Sequence, residues 1–422
     1  MAFKQAMAAL ALATTTVLPV YAQDIPVSDN PEALGFQPDV LGALDARLDE
    51  LAAEGARPGY AAIIARGEQI AFISEAGQIN LETGEAFTVD SPVRIASMTK
   101  PVTAVAIMML VERGTVSLDD PVSDYIPEFA GAHVAVSPMA GEDGEIATRA
   151  PATAMTVEHL LTHTAGIGYI FEGETDLGRL YLDNSLYAGE GDLEARMQQL
   201  AALPLYADPG DRWIYSYSLD VAGRVVEVAS GMPFETFLET EIFTPLAMHS
   251  TGFFFDDVDF EEDAMSPLYV HTETGEMVAI DQGNPDWASG GGGLVSTASD
   301  YIRFAMMLAN GGSLGEVSIL APETFAEFAR PYATTDQLGD GWDGRGFALG
   351  MDIVLPPEDG QQPAGIPGDL SWGGLFDTDF FVSPQTRTAA VIMTQIQPSE
   401  HRPEPRTLRV FRPMVYGSFA QQ

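Results

Sequence analysis

At 422 residues and 46% hydrophobic content, the chain is long enough to bury a large core, in one big domain or two smaller ones. Its 20 basic residues face 61 acidic ones, a formal net charge of −41, and a field of that sign repels nucleic acid and anionic lipid, which excludes both as partners. There is no cysteine, so disulfides, thiolate metal sites and a thiol nucleophile are excluded too.

Residues 1–22 read as a secretory signal peptide. Lys4 gives the positive start, Ala6 to Leu18 the apolar stretch, and Val20-Tyr21-Ala22 a small-x-small cleavage site before Gln23. The apolar stretch is too short for a membrane helix and no later run is longer, so the expectation is an exported protein, periplasmic or secreted, with no membrane span. After an irregular lead-in, Val40, Leu41, Leu44, Leu48 and Leu51 recur at helical spacing, and Gly55 suits the end of that helix. Tyr60 to Ala65 and Gln69 to Glu75 are β-type runs around Arg66-Gly67-Glu68, a hairpin. Val102 to Arg113 reads as an apolar helix; Pro101 is tolerable only in its first turn, so the helix must start close to Ser97.

From about 116 to 290 the pattern turns to loops, proline and short helices, with helical candidates at Val157 to Leu161, Leu193 to Leu203, Asp220 to Ala229 and Phe234 to Ile242. Ser299 to Asn310 follows, with Ser299 or Asp300 as N-cap and Gly311-Gly312 as the stop. Thr378 to Val382 and Thr388 to Thr394 are β runs, and Leu408 to Phe419 is a helical stretch interrupted by Pro413. Strands at both ends and helices between them predict an α/β fold of the α+β type. An antiparallel sheet flanked by helices (about 38–115 and 291–420) would be interrupted by a mostly helical insertion (about 116–290), the whole spanning 23–420. The cleft between the two parts is the default ligand site.

Lys4 and Lys100 are the only lysines in the chain. Lys100 stands three residues after Ser97, and one helical turn puts positions i and i+3 on one face. An ammonium can lose a proton when desolvated, and a guanidinium effectively cannot. A serine hydroxyl beside such an amine is the pattern of an activated nucleophile, and a helix start favours a developing oxyanion. Two further segments have suitable chemistry. Tyr215, in Trp213-Ile214-Tyr215-Ser216-Tyr217 before a helix, can shuttle a proton. Ser371-Trp372-Gly373-Gly374-Leu375 opens a β run with two glycines that let a backbone or ligand approach closely.

The chain resembles the serine β-lactamase and penicillin-binding-protein-like hydrolases, in particular the class C-related branch with its family VIII carboxylesterases. The motifs that carry this are Arg94-Ile-Ala-Ser97-Met-Thr-Lys100, Leu118-Asp-Asp-Pro-Val, Val157-Glu-His-Leu-Leu-Thr-His-Thr-Ala-Gly166, Trp213-Ile-Tyr215-Ser, Gly290-Gly-Gly-Gly-Leu-Val-Ser-Thr297 and Trp372-Gly-Gly374. The resemblance implies Ser97 as acylated nucleophile, Lys100 and Tyr215 sharing acid–base work, and the Ser97 and Leu375 amides as oxyanion hole. It implies Trp372, Gly373 and Gly374 as a substrate-binding wall. Two departures stand out. Trp372 replaces the lysine of the usual Lys-Thr-Gly motif, and Tyr217 replaces the asparagine of Tyr-x-Asn. Both lost groups help hold an antibiotic, so small esters are the expected substrate. D-amino-acid amides, β-lactams and acyl transfer remain alternatives, as does a catalytically silent peptidoglycan-binding or sensor protein.

Other signals carry less. His159 and His163 have i, i+4 spacing, but no metalloprotease glutamate follows His159, so no metal is expected; His163 is a candidate for supporting the site from behind. Asp256 to Asp263 is acidic without a calcium loop's spacing. Gly290 to Gly293 has no phosphate-loop lysine and reads as close backbone packing, so no cofactor is expected. Gly311-Gly312-Ser313-Leu314-Gly315 matches Gly-x-Ser-x-Gly, but a helix precedes it where a nucleophile elbow needs a strand, so Ser313 reads as a loop serine. The sequence leaves the oligomeric state open.

Overall fold

The computed structural model describes residues 24–420 except 172, 188–190, 254–264, 281–285, 358–363, 402 and 404. The leader and the whole acidic stretch 256–263 lie outside the described residues.

Eight strands form one antiparallel sheet. In chain order they are β1 (Gly59–Arg66), β2 (Gln69–Asn80), β3 (Glu85–Ala86), β4 (Arg345–Phe347), β5 (Asp352–Val354), β6 (Leu370–Gly373), β7 (Asp379–Ser383) and β8 (Thr388–Met393). Their spatial order is β4-β5-β6-β7-β8-β1-β2-β3. The β1–β8 pairing, with Ile63 opposite Val391 and Ala61 opposite Met393, joins segments more than 300 residues apart. The hairpin expected around Gly67 is β1–β2. Strands β4 and β5 are three residues each, too short to leave a periodic signal in the sequence.

Alternation along the strands sends side chains to two cores. Ala62, Ile64, Phe381, Ala390 and Ile392 meet helices α1 (Pro38–Ala53) and α11 (Thr407–Gly417) on one face. Ile63, Phe380, Val382, Val391 and Met393 join a larger core on the other, against α8 (Ala298–Ala309). Each fully buried Leu or Ile contributes about 2 kcal/mol by leaving water. Two short helices, α9 (Pro322–Phe328) and α10 (Thr335–Leu338), follow α8. The helical layer between the sheet halves holds α2 (Thr99–Glu112), α3 (Val157–Leu161), α4 (Asp176–Asp183), α5 (Leu193–Ala201), α6 (Ser218–Ser230) and α7 (Phe234–Leu238). Helix α2 is its axis. Every residue from Thr99 to Leu110 is buried, as expected of a helix apolar on all sides.

Three details differ from expectation. The N-cap of α8 is Thr297, whose hydroxyl accepts from the Asp300 amide at 3.1 Å. Helix α11 runs through Pro413. The lost bond to the Arg409 carbonyl is offset by packing of Phe411 and Val415 on the sheet. Gly373 ends strand β6, so Trp372-Gly373-Gly374 closes a strand and turns out of it, where an opening strand was expected.

Candidate active site

Ser97 sits in a single 3-10 turn, Ala96–Met98, just ahead of α2. Ala96 before it has φ +45°, in the left-handed region that a non-glycine residue adopts at a cost of order 1 kcal/mol. This turn lies against β6. Lys100 occupies the first turn of α2 with its side chain wholly buried. Its Nζ lies 3.4 Å from Ser97 Oγ and donates to the Gly291 carbonyl at 2.6 Å. Tyr215 approaches from the other side. Its segment is pinned by Ile214 N–H to the His163 carbonyl at 2.8 Å and by Tyr217 N–H to the Gly168 carbonyl at 3.3 Å. The Tyr215 hydroxyl donates to Ser97 Oγ at 2.6 Å, and Lys100 Nζ stands 4.6 Å from the centre of the Tyr215 ring. Ser97, Lys100 and Tyr215 are thus brought together.

The Ser97 main chain and the β6 exit face one cavity of about 1020 Å³, lined among others by Ser97, Tyr215, Trp372, Gly373, Gly374 and Leu375. Among the described residues, neither the Ser97 nor the Leu375 N–H donates to a protein group. Gly374 has no room for a side chain: a Cβ there would lie 2.5 Å from the Ile95 carbonyl oxygen and 2.1 Å from Thr378 Oγ1. The turn after it is locked through Asp377, at φ +70°. That carboxylate accepts from Arg57 Nε at 2.7 Å, Thr407 Oγ1 at 2.7 Å and Arg406 Nε at 3.2 Å. Despite the opposing effect of burial, the two guanidiniums and Thr407 hold the Asp377 carboxyl below its ordinary range.

The aromatic wall continues through Tyr169, Phe171 and Tyr187, which also line the cavity. The Tyr169 and Tyr187 hydroxyls are 2.8 Å apart, and burial pushes both phenols well above their ordinary range, so they act as hydrogen-bond groups rather than as acids. Tyr217, at the position of the missing asparagine, is buried beside Ser185 and the Leu186 amide, and burial pushes its phenol up to about 12.

His163 is not the partner of His159 on a helix. Helix α3 ends at Leu161, and His163 follows it at φ +55°. His159 instead completes the N-terminal cap of α3 with Thr156. The His163 ring lies 4.9 Å from that of Tyr215, with Nδ1 3.1 Å from Ser216 Oγ. Burial, reinforced by the charge of Lys100, holds it well below its usual range, hence neutral. A further residue, Asp220, joins the site without any local signal in the chain. It is fully buried in the first turn of α6, where its Oδ1 accepts from Ser289 Oγ at 2.6 Å and the Gly291 N–H at 3.0 Å. Burial raises its carboxyl, and the nearby Lys100 charge is the strongest influence opposing that rise. A Cβ on Gly291 would lie 2.4 Å from Asp220 Oδ2, which is why the glycine run is needed there. Only a spatial neighbour 71 positions away reveals this role. Ser313, by contrast, lies in a two-residue strand paired with Val317–Ser318 and does not line the cavity.

Such a constellation on this sheet defines a serine enzyme of the β-lactamase fold. Residues 44–412 match the Beta-lactamase family model, and the chain belongs to that family. It is 32% identical to Esterase EstB of Burkholderia gladioli over 86% of this chain and 93% of that protein. It is 28% identical to Acyltransferase calJ of Penicillium decumbens, over 78% and 82%. The structure of EstCE1, described as a hydrolase with promiscuous acyltransferase activity, superposes with a TM-score of 0.74 at 24% identity, covering 92% of this chain and all of that one. The protein is therefore an enzyme of the serine hydrolase or acyltransferase type. Among the described residues no helix is long and apolar enough to cross a membrane.

Proposed function

We propose that the protein hydrolyses small carboxylic esters through an acyl-enzyme on Ser97. The observation that carries this is the pair of contacts to one oxygen: the Tyr215 hydroxyl at 2.6 Å and the Lys100 amine at 3.4 Å from Ser97 Oγ, facing an open cavity. Oγ attacks the ester carbonyl while its proton passes into the Tyr215–Lys100 pair. The carbonyl oxygen becomes an oxyanion held by the Ser97 and Leu375 N–H groups, a contribution of order 3 kcal/mol per donor. Collapse breaks the bond to the alcohol, which leaves with the proton returned from the pair. Water then repeats the sequence on the acyl group, releasing acid and free Ser97.

Ester rather than β-lactam chemistry is supported by the wall. Trp372 packs 5.9 Å from the Tyr215 ring where a lysine would hold an antibiotic carboxylate, and Tyr217 offers no amide to the cavity. Trp372, Gly373 and Gly374 form the substrate wall. Acyl transfer is the second reading, favoured by a cavity large enough for an acceptor alcohol beside the acyl group. We also propose export, on the leader reading of residues 1–22.

Fluorophosphonate labelling with location of the adduct tests the nucleophile, and Ser97→Ala should abolish both labelling and turnover. Assay of p-nitrophenyl acetate, nitrocefin and a D-alanyl anilide with one preparation tests the class. Nitrocefin or the anilide as the preferred substrate would overturn the ester reading.

A further inference from the structure

The cavity is far larger than a short-chain ester requires, and a second part of its lining has a distinct chemistry. It is built by Arg345 on β4, Asp352 on β5, Asp379 on β7, Arg406 and, from α11, Arg412. In a chain with three acids for every base, the cavity lining reverses the balance: Arg94, Arg345, Arg406 and Arg412 against Asp352 and Asp379. An excess of one sign of charge around a concave site focuses its field on an incoming ligand. Each lining carboxylate is already engaged. Asp379 takes a two-pronged contact from Arg412, at 2.7 Å through Nε and through Nη2. Asp352 takes Arg345 Nη1 at 2.8 Å and the Ser371 hydroxyl.

Arg345 is held but not used up. Its Nη1 also reaches Ser371 Oγ at 3.2 Å, which fixes the guanidinium against strand β6. Among the described residues, its Nε and Nη2 donate to no protein group, and the side chain is 23% exposed. Nε and Nη2 form the edge of the guanidinium that matches the two oxygens of a carboxylate. Ser371 accepts from Arg412 Nη1 at 2.6 Å as well, so a second cation stands directly behind the first.

We propose that the natural substrate is an ester bearing a carboxylate, docked on the Nε–Nη2 edge of Arg345, with the scissile carbonyl at Ser97 and the carbon skeleton on the aromatic wall. This rests on the ester-hydrolase reading and adds the substrate's charge to it. The test uses two matched pairs at low salt: the p-nitrophenyl half-ester of adipic acid against its methyl diester, and 4-acetoxybenzoate against methyl 4-acetoxybenzoate. In at least one pair the anionic member is expected to have a tenfold or higher kcat/KM ratio over its neutral partner. Arg345→Gln should reduce that ratio about tenfold, each variant being normalised to its own neutral ester. Arg345→Lys, which keeps the charge and the Asp352 pairing but not the fork, should give an intermediate ratio. A native ratio at or below one in both pairs, or a ratio untouched by both substitutions, overturns the proposal while leaving the ester reading intact. No Ser97-dependent turnover of any of the four esters overturns both.

Discussion

The Tyr215 hydroxyl donates to Ser97 Oγ at 2.6 Å while its ring is clamped between His163, at 4.9 Å, and Trp372, at 5.9 Å. The phenol is therefore the one polar atom of a side chain otherwise held by aromatic packing. Tyr215→Phe removes that atom and leaves the packing. The expected result is a fall in kcat of roughly 10²- to 10⁴-fold on p-nitrophenyl acetate with little change in KM or thermal midpoint. A variant within threefold of native kcat would show that Lys100 moves the serine proton without the phenol.

Lys100 depends on two parts of the chain that its own helix does not supply. The Gly291 carbonyl accepts a hydrogen bond from Lys100 Nζ, and the Asp220 carboxylate accepts from the Gly291 N–H. Asp220→Asn keeps an acceptor for Ser289 and the Gly291 amide but removes the buried carboxyl group behind Lys100. We expect kcat to fall roughly 10- to 100-fold, on the general acid–base scale, with the fold retained. Asp220→Ala strands the Ser289 hydroxyl and the Gly291 N–H as well, which costs about 1–3 kcal/mol each. Urea midpoints should therefore separate the two variants even if their activities are similar. Equal midpoints would mean that water or a shifted loop replaces those bonds.

Gly374→Ala probes the oxyanion donor on Leu375. The added methyl meets the Ile95 main chain at 2.5 Å, so the turn carrying Leu375 N–H must move. Loss of one such donor typically lowers kcat by 10²–10³. That fall, with Ser97 still labelled slowly by fluorophosphonate, is the expected outcome. Unchanged kcat would remove Leu375 from the oxyanion hole.

How much of this was legible in the sequence follows from distance along the chain. Ser97 and Lys100 are one helical turn apart, so their meeting is local and can be read from spacing. Helices α1 and α2 were legible for the same reason, since their apolar residues are their own signal. Tyr215 has no local cue, and its place was found only through family resemblance. Asp220 looked like the start of a helix, because its partner Gly291 is reached only once α6 packs on α2 and the glycine loop. The short helix Val157–Leu161 was legible with its observed bounds, and because it ends before His163 the i, i+4 spacing of His159 and His163 does not place them on one helical face. The guanidinium of Arg345 sits on a strand three residues long, beneath the reach of any alternation pattern.

His163 gives a test in pH. Its imidazole is wholly buried and held well below the ordinary value by desolvation and by Lys100, whereas in the unfolded chain it returns to about 6.5. Below that pH the unfolded state binds a proton that the folded state refuses. Stability is therefore lost as pH falls from about 6.5 towards the folded value, by up to ~1.4 kcal/mol per pH unit. Asparagine tolerates the φ of +55° at this position and does not titrate. His163→Asn should be less stable than native at pH 7.5, through lost packing on Tyr215, but the gap in urea midpoints should narrow steadily as the pH is lowered to 5. The other acid-titrating groups are common to both proteins and cancel in the difference. A gap that stays constant from pH 7.5 to 5 would mean that the ring takes up its proton inside the fold, and Tyr215 would then be stacked on a cation instead of a neutral imidazole.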